Sequence, residues 1–346
     1  MLFAINGKFL SEKRTGIHRY AEELVRSLDK ISADLNLVLV KPKKTEISLD
    51  LKNIRVVEYG NGSGILWEQI CFAFYCLLYK AVPINLCNII PLLKPNGISC
   101  IHDVSYKANP EFFSNWYGFL SRTWHKINYW FICKFSKKII TISEFSKNEI
   151  IKFYKVKPEK ISVISDSWQH ISQKFSKSLN SENRSSGNYF FAMSSIAKNK
   201  NFKWVLELAK RNPEQKFKIA GSFNPTRFGE NMDFNELENV EFLGYVSDEE
   251  AKTLMQNCRA FLFPSLYEGF GLPPMEALAV GAQIVVSNIP VLREIYGNSA
   301  HYVEPNNYDI DLEGVLAEEV EPAEKVLGNC SWEKSAEKLK MVLEVA

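Results

Sequence analysis

Two glutamates, Glu268 and Glu276, lie eight positions apart in a segment rich in glycine and proline. The sequence over residues 263–278 is FPSLYEGFGLPPMEAL, in which an apolar strand ends and a loop with two glycines follows. Proline fits the first turn of a helix because the N–H group that it lacks has no partner there. Pro273 and Pro274 therefore predict a helix start, with Glu276 in the first turn and Glu268 in the loop before it.

This arrangement suits phosphate and hydroxyl groups as ligands. Free N–H groups at a helix start and the helix dipole favour a diphosphate, and glycines let the backbone approach it closely. Because a carboxylate accepts two hydrogen bonds at once, we expect Glu276 to hold a vicinal diol such as a ribose. We expect Glu268 to hold the hydroxyls of a donor sugar.

The alternative for both glutamates is a structural role. Glu276 would then only complement the helix dipole, and Glu268 would be a solvated loop charge. Two glutamates at this spacing are common, so the spacing alone predicts no site. The combination of strand, glycine loop, proline pair and helix favours the functional interpretation.

The composition indicates a folded protein with two domains. The chain has 346 residues, of which 46% are hydrophobic and 24% charged, and single domains usually contain about 100–200 residues. Its 42 basic and 40 acidic side chains nearly balance, which gives no overall reason to expect a nucleic-acid partner. The seven cysteines show no CxxC pair and no Cys/His spacing, so we expect a reducing compartment and neither zinc nor disulfides.

The sequence also indicates a cytoplasmic location. Its first residues lack the pattern of a secretory signal peptide. The longest apolar run, residues 70–79, has about half the length of a bilayer span. We therefore expect no membrane-spanning segment.

Strand-like and helix-like segments alternate along the chain, which predicts an α/β fold of two doubly wound domains. Apolar spacing predicts an amphipathic helix over residues 17–31. A second helix is predicted over residues 248–257, where Ser247 and Glu250 form a capping-box pattern at its start. Periodicity disappears between residues 164 and 187, and we expect the linker between the domains in the middle of this segment. The predicted strands are residues 2–5, 35–40, 99–102, 138–143, 189–194, 217–220, 240–243, 260–264 and 283–287.

Residues 240–300 closely resemble the donor domain of the family-four glycosyltransferases, which are retaining enzymes of the GT-B fold, and Glu268 and Glu276 match that family's E-x7-E signature. The segments FLSEKRTGIHRYAEEL, LWEQ, IHDVSYKANPEFFS, ITISEFSKNEI and CSWEKSAEKL resemble the subgroup that builds bacterial O-antigen and capsule. The resemblance implies two Rossmann-like domains facing across a cleft. The first domain (1–165) is expected to bind the acceptor, and the second (166–328) the nucleotide-sugar donor. A C-terminal helix (329–346) is expected to cross back to the first domain.

The resemblance also implies roles for individual residues. Lys200 matches a lysine that pairs with the donor diphosphate, and His102 matches a histidine beside the reacting sugar. Many relatives have an arginine where this chain has Ser194, so the charge clamp is either weaker than in those relatives or completed by Lys198. The expected catalytic residues are His102, Lys200 and Glu268, and the expected donor-binding residues are Gly16, Lys198, Gly221, Tyr245, Val246, Gly269, Phe270, Gly271, Leu272 and Glu276, with Ser222 beside them.

Two further motifs resemble known ligand-binding motifs but are not expected to bind a ligand. Asp309 and Asp311 spell the DxD string of metal-dependent sugar transferases, but they lie in a polar turn where a helix cap is the expected role. The glycine-rich run over residues 60–64 lacks the lysine and Ser/Thr of a phosphate loop, so we expect a flexible loop near the acceptor side. We therefore expect no metal ligands and no cofactor.

Aromatic and aliphatic residues recur at helical spacing between residues 113 and 131, with basic residues around them. One interpretation is a helix on an anionic lipid surface, and the other is a core helix followed by a solvated basic face. Acceptors in the resembling subgroup are commonly polyprenyl-diphosphate-linked oligosaccharides, which favours peripheral contact with the inner leaflet. The apolar stripe is Phe113, Trp116, Leu120, Trp124, Ile127 and Phe131.

The expected reaction is metal-independent transfer of a hexose, with retention, from a nucleotide sugar to a glycan acceptor. The leaving phosphate is expected to help deprotonate the acceptor hydroxyl in a front-face attack. GDP-mannose is the expected donor from subgroup resemblance alone. The alternatives are a nucleotide-sugar epimerase of the same fold and a non-catalytic nucleotide-sugar-binding subunit.

Overall fold

The computed structural model describes residues 1–47, 49–113, 116–172, 187–195, 197–221 and 237–346. They form two compact units. The first unit contains Met1–Asp166 and Trp332–Ala346, and the second contains Ser167–Ser331. Of the predicted linker, residues 173–186 lie outside the described part of the chain.

The first unit is built on a parallel sheet of seven strands in the order β3-β2-β1-β4-β5-β6-β7. Every residue of β1, β2 and β4 is buried, which explains why these strands show continuous apolar runs instead of alternation. The strands are β1 (Phe3–Asn6), β2 (Leu37–Lys41), β3 (Arg55–Glu58), β4 (Val82–Asn85), β5 (Ile98–Cys100), β6 (Lys138–Thr141) and β7 (Ile161–Val163).

Helices connect these strands. The apolar positions of the first helix between residues 20 and 28 are buried as its spacing predicts. A π-helical turn (Glu68–Phe72) joins the second helix to the third. Short 3-10 turns occupy Gly7–Ser11, Pro110–Phe113 and Pro158–Lys160. The helices are α1 (Gly16–Ile31), α2 (Gly64–Trp67), α3 (Ala73–Leu78), α4 (Ser105–Ala108), α5 (Trp116–Phe135) and α6 (Glu144–Tyr154).

The second unit has a parallel sheet of six strands in the order β10-β9-β8-β11-β12-β13. These strands are β8 (Tyr189–Met193), β9 (Lys216–Ala220), β10 (Val240–Gly244), β11 (Ala260–Phe263), β12 (Ile284–Ser287) and β13 (His301–Val303). The described helices are α7 (Gln169–Ser172), α8 (Phe202–Arg211), α9 (Asp248–Gln256), α10 (Leu272–Ala279), α11 (Pro290–Tyr296), α12 (Leu312–Ala317) and α13 (Ala323–Leu327). The capping box predicted for Ser247 and Glu250 is present at the start of α9.

The last helix, α14 (Trp332–Glu344), belongs to the first unit and packs on α1. The rings of Trp332 and Tyr20 meet edge to face, with centroids 6.0 Å apart. The Ser335 hydroxyl donates to the carbonyl of Ser165 at 2.8 Å. The apolar stripe of α14 is buried at Trp332, Ala336, Leu339, Val342 and Leu343.

Among the described residues, no helix combines the length and the hydropathy that a membrane crossing requires.

Deletion of residues 331–346 should lower the solubility and the thermal unfolding midpoint, because it uncovers the face of α1 against which α14 packs. We expect the activity to fall as well. Soluble yield, thermal unfolding and an activity assay measure the three effects.

Two point variants provide a milder comparison. Trp332→Ala removes a buried ring and should cost about 3–5 kcal/mol of unfolding free energy. Met341→Ala, on the exposed side of the same helix, should change it by less than about 0.5 kcal/mol. A truncated protein that remains soluble and fully active would show that α14 is a dispensable tail.

Candidate functional site

The candidate site of the second unit lies at the carboxyl ends of β8 and β11. These strands are neighbours, and the chain leaves β8 toward β9 on one side before it returns to β11 on the other. Ligands of open parallel sheets bind where the strand order reverses in this way. The loop after β8 carries Lys198 and Lys200, and the loop after β11 carries Glu268. The topology thus brings predicted residues from two distant parts of the sequence to one edge.

One backbone hydrogen bond and the side-chain amide of Asn201 hold these two loops together. The N–H of Leu266 donates to the carbonyl of Asn199 at 2.7 Å. The Asn201 amide donates to the carbonyls of Pro264 at 3.1 Å and Pro305 at 2.9 Å. Asn201 adopts the left-handed conformation, with φ of 52°, which asparagine tolerates better than most residues. The 3-10 turn Lys198–Lys200 is therefore fixed against the loop that carries Glu268.

Lys200 and Glu268 form an ion pair, with Nζ and Oε1 2.6 Å apart. The two side chains are only 19% and 10% exposed, so the pair is partly shielded from water. The ammonium group of Lys200 also lies 5.7 Å from the centre of the Phe263 ring. The residues predicted to hold a diphosphate and a sugar are therefore in direct contact. Lys198, in contrast, is exposed at the start of the same turn.

Gly271 sets the start of α10. It is the N-cap, with φ of 93°, and a Cβ on it would lie 2.8 Å from a methyl group of Leu292. The Tyr296 hydroxyl donates to the Gly271 carbonyl. The side chains of Phe270 and Leu272 are buried, so these two residues can offer a ligand only backbone groups. Gly269 is likewise buried in this loop.

The prediction that Glu276 lies in the first turn of its helix was wrong. Because α10 begins at Leu272, the proline pair falls inside its first turn and Glu276 is its fifth residue. Its carboxylate is therefore not a cap of the helix. It accepts a hydrogen bond from Nε2 of His170 at 2.7 Å.

His170 was missed by sequence analysis. It lies in the single-turn helix α7, 106 positions from Glu276, and its side chain is only 5% exposed. No local pattern indicates a partnership at such a separation. A polar residue next to a predicted linker was the only signal in the sequence.

The remaining donor-side predictions lie at the ends of β9 and β10. The N–H of Gly221 donates to the carbonyl of Gly244 at 2.7 Å, and Gly221 has φ of 143°. Tyr245 is exposed and Val246 is half-buried just after β10. The neighbouring Ser222 lies outside the described residues.

His102 and Gly16 belong to the first unit. The backbone N–H of His102 donates to Asn88 at 2.8 Å, and its Nε2 donates to the carbonyl of Leu86 at 2.8 Å. Burial lowers the pKa of His102 to about 4, so its imidazole is neutral at physiological pH. Gly16 is exposed at the first position of α1, where an added Cβ would meet no atom within 4 Å.

A buried polar cluster at the carboxyl ends of β1 and β4 was also missed. Glu68 accepts hydrogen bonds from Asn6 at 2.6 Å and from the ammonium group of Lys8 at 3.1 Å. Asn6 also donates to Asn85 at 3.2 Å. The strand order of the first sheet reverses between β1 and β4, which makes this its own switch point. Burial raises the pKa of Glu68, and its bonds to Lys8 and Asn6 oppose that effect.

The DxD string and the glycine-rich run have structural explanations. Asp311 is the N-cap of α12 and accepts a hydrogen bond from the N–H of Glu313. The glycine run ends at Gly64, the first residue of α2, so a helix follows it directly and only its first part is a loop. Within the described parts of the chain, no group of three or more His, Cys, Asp or Glu residues could hold a metal ion.

Solved structures share this architecture at low sequence identity. The Anabaena protein Alr3699/HepE, solved with UDP and glucose, aligns over all of both chains with a TM-score of 0.68 and 16% identity. The lipopolysaccharide glycosyltransferase WaaG covers 100% of this chain and 96% of its own, with a TM-score of 0.61 and 13% identity. The predicted GT-B fold with two Rossmann-like domains is confirmed.

Curated relatives match in sequence. The O-antigen chain mannosyltransferase RfbU of Salmonella typhimurium is 31% identical over 228 residues, or 64% of this chain and 60% of the relative. The O-antigen chain mannosyltransferase B of Escherichia coli is 25% identical, over 64% of this chain and 60% of the relative. The match thus spans about three fifths of these relatives. The model of the family described as "Glycosyl transferases group 1" matches residues 139–343, more than half of the chain, and the chain therefore belongs to that family.

Proposed function

We propose that this protein is a retaining, metal-independent hexosyltransferase that uses a nucleotide sugar, with GDP-mannose as the preferred donor. Its acceptor is a glycan, a polyprenyl-diphosphate-linked oligosaccharide of bacterial surface polysaccharide synthesis. One observation carries the proposal. The Lys200–Glu268 ion pair lies at the switch point of the second sheet, and the loop that carries Glu268 leads into α10.

The donor site follows from this arrangement. Lys200 and the backbone N–H groups of Gly271 and Leu272 at the start of α10 supply positive charge for a diphosphate, while Pro273 and Pro274 have no N–H to contribute. Glu268 holds hydroxyls of the sugar, and Glu276 holds the ribose. As the glycosidic bond breaks, negative charge develops on the leaving nucleotide, and Lys200 stabilises it without a metal ion. Gly221, Tyr245 and Val246 border the nucleotide from the ends of β9 and β10.

His102 contributes as a neutral hydrogen-bonding group. Its Nε2 proton is used by the Leu86 carbonyl, which leaves Nδ1 as an acceptor. A pKa of about 4 means that it carries no positive charge at neutral pH. It therefore accepts a hydrogen bond from a sugar hydroxyl instead of acting as a general acid. Removal of the acceptor proton falls to the leaving phosphate in a front-face attack.

Two relatives support mannose as the sugar and O-antigen as the product, since both are described as O-antigen chain mannosyltransferases. The neighbouring structure that holds UDP and glucose supports a nucleotide and a hexose as the donor components. An epimerase or a non-catalytic nucleotide-sugar-binding subunit remains the alternative function. Neither is favoured by the matches to glycosyltransferases.

Contact with the inner leaflet of the cytoplasmic membrane is part of the proposal, for a cytoplasmic enzyme. Of the predicted stripe on α5, Trp116, Leu120 and Ile127 are exposed, while Trp124 and Phe131 are partly buried. Basic side chains lie over the aromatic rings of this helix. Lys134 is 4.6 Å from the Trp130 ring centre and Arg122 is 5.3 Å from that of Phe119. Basic and aromatic side chains together suit an anionic interface.

The continuous helical segment over residues 64–78 adds a second apolar face. Its exposed side chains include Leu66 at 74%, Ile70 at 52% and Phe74 at 54%. Gln69 on this segment bonds to the carbonyl of Ile90 at 2.8 Å, and Asn128 on α5 accepts from the N–H of Ile90 at 3.2 Å. Both helices therefore flank the same short segment of the first unit. A lipid surface is the occupant that fits exposed aliphatic groups beside basic ones.

Transfer should proceed in excess EDTA. Purified protein is incubated with GDP-mannose and a polyprenyl-diphosphate oligosaccharide, and NMR determines the anomeric configuration of the product. We expect an α-linked product, which retains the configuration of the donor. Loss of activity that Mg²⁺ or Mn²⁺ restores would refute metal independence, and conversion of donor without acceptor would indicate an epimerase.

Lys200→Ala should lower kcat by about 10²–10³-fold, because one preorganised donor to developing charge is lost. Lys203→Ala, at an exposed position on the neighbouring α8, is the matched control and should leave kcat unchanged. Thermal unfolding monitors stability, which should change far less than turnover. A Lys200→Ala enzyme with near-native kcat would mean that another group, such as Lys198, neutralises the diphosphate.

Anionic vesicles of phosphatidylglycerol and phosphatidylcholine should carry the protein to the top of a flotation gradient. The double variant Leu66→Glu/Phe74→Glu should abolish flotation, since it puts two charges on the proposed apolar face. Met341→Glu, an exposed apolar position on α14, should float like wild type. Equal flotation of all three proteins would contradict this contact. A dimer in gel filtration whose interface covers the apolar face would contradict it as well.

A further inference from the structure

We propose that His170 is a positioning residue for the nucleotide, and that it acts by fixing the carboxylate of Glu276. This inference rests on the proposed role of Glu276 in holding the ribose. His170 matches none of the motifs recognised in the sequence, and it comes from a different part of the chain. Its Nε2 donates to Glu276 Oε1 at 2.7 Å, and the two side chains are 5% and 13% exposed.

The helix that carries His170 is firmly held within the second unit. Trp168 donates from its indole N–H to the carbonyl of Leu327 at 3.0 Å. Gln169 donates to the carbonyl of Cys330 at 3.1 Å and accepts from the Ser167 hydroxyl at 2.7 Å. The three residues before His170, namely Ser167, Trp168 and Gln169, thus all form hydrogen bonds. The bonds of Trp168 and Gln169 attach this segment to the last residues of the unit. His170 therefore approaches Glu276 from a fixed support.

Glu276 needs such a support. It lies in the second turn of α10, where the helix start cannot bond its carboxylate. Within the described residues, His170 is its partner and no lysine or arginine forms an ion pair with it. A free glutamate side chain must lose rotamer freedom before it can hold two hydroxyls, which weakens binding. The bond from His170 lowers that cost in advance and uses one acceptor site of Oε1, which leaves Oε2 and the second acceptor site of Oε1 for hydroxyl groups.

The expected effect is on binding more than on chemistry. A ribose contact is remote from the reacting anomeric carbon, so it contributes equally to ground state and transition state. His170→Phe keeps a ring but loses the donor, and it should weaken GDP binding by about tenfold or more, the usual size for a hydrogen bond to a charged group. The KM for GDP-mannose should rise with it, while kcat changes much less.

The experiment uses the full chain, with isothermal titration of GDP and donor kinetics for each variant. His170→Gln retains an N–H at similar reach and should recover most of the affinity, whereas His170→Asn is too short and should not. His301→Phe is the control for burying phenylalanine in place of histidine. His301 lies in the same unit, is 2% exposed and bonds to Gln283 instead of a proposed site residue.

A double-mutant cycle separates positioning from a structural role. In a Glu276→Ala background, His170→Phe should cause no further loss of GDP affinity, because its effect passes through the missing carboxylate. Additive losses, or wild-type affinity of His170→Phe, would overturn the proposal. Wild-type affinity of Glu276→Ala, or no binding of GDP, UDP or dTDP by the wild-type protein, would instead overturn the proposed donor site, and this inference with it.

Discussion

The ion pair between Lys200 and Glu268 depends on the order of strands in the second sheet more than on any local sequence feature. β8 and β11 are adjacent only because the chain builds β9 and β10 on one side and then crosses to the other. The loops that follow β8 and β11 are therefore neighbours, and the Leu266–Asn199 hydrogen bond fixes the distance between them. A lysine and a glutamate 68 positions apart thus come within 2.6 Å.

In the proposed donor site, the pair holds the lysine in place for an anion. A partly buried ammonium group without a partner would pay a desolvation cost, and Glu268 offsets it. An arriving diphosphate supplies more negative charge than one carboxylate and can share the same ammonium group. The Asn201 contacts to Pro264 and Pro305 keep the supporting turn in place during this exchange, because they do not involve Lys200.

Most strands could be predicted from the sequence, whereas the side-chain pairs could not. The predicted segments 138–143, 189–194 and 283–287 each overlap an observed strand to within two residues at either end. Strands buried on both faces carry a strong local signal, and so does the capping box of Ser247. The position of Glu276 was wrong by part of a turn, because a proline pair is compatible with several positions in the first turn. His170–Glu276 and Lys8–Glu68 join residues 106 and 60 positions apart, and such pairs leave no local pattern.

Charge balance connects these separate contacts. A site for a diphosphate that also contains two glutamates would repel its ligand if both carboxylates were unpartnered. In this protein each carboxylate has a dedicated donor, Lys200 for Glu268 and His170 for Glu276. In the proposed site, the first pair places its positive member where the phosphates bind, and the second fixes the carboxylate that holds a neutral diol. Two acidic residues can therefore serve a site for an anionic ligand, provided that each is held by a group from a different segment of the chain.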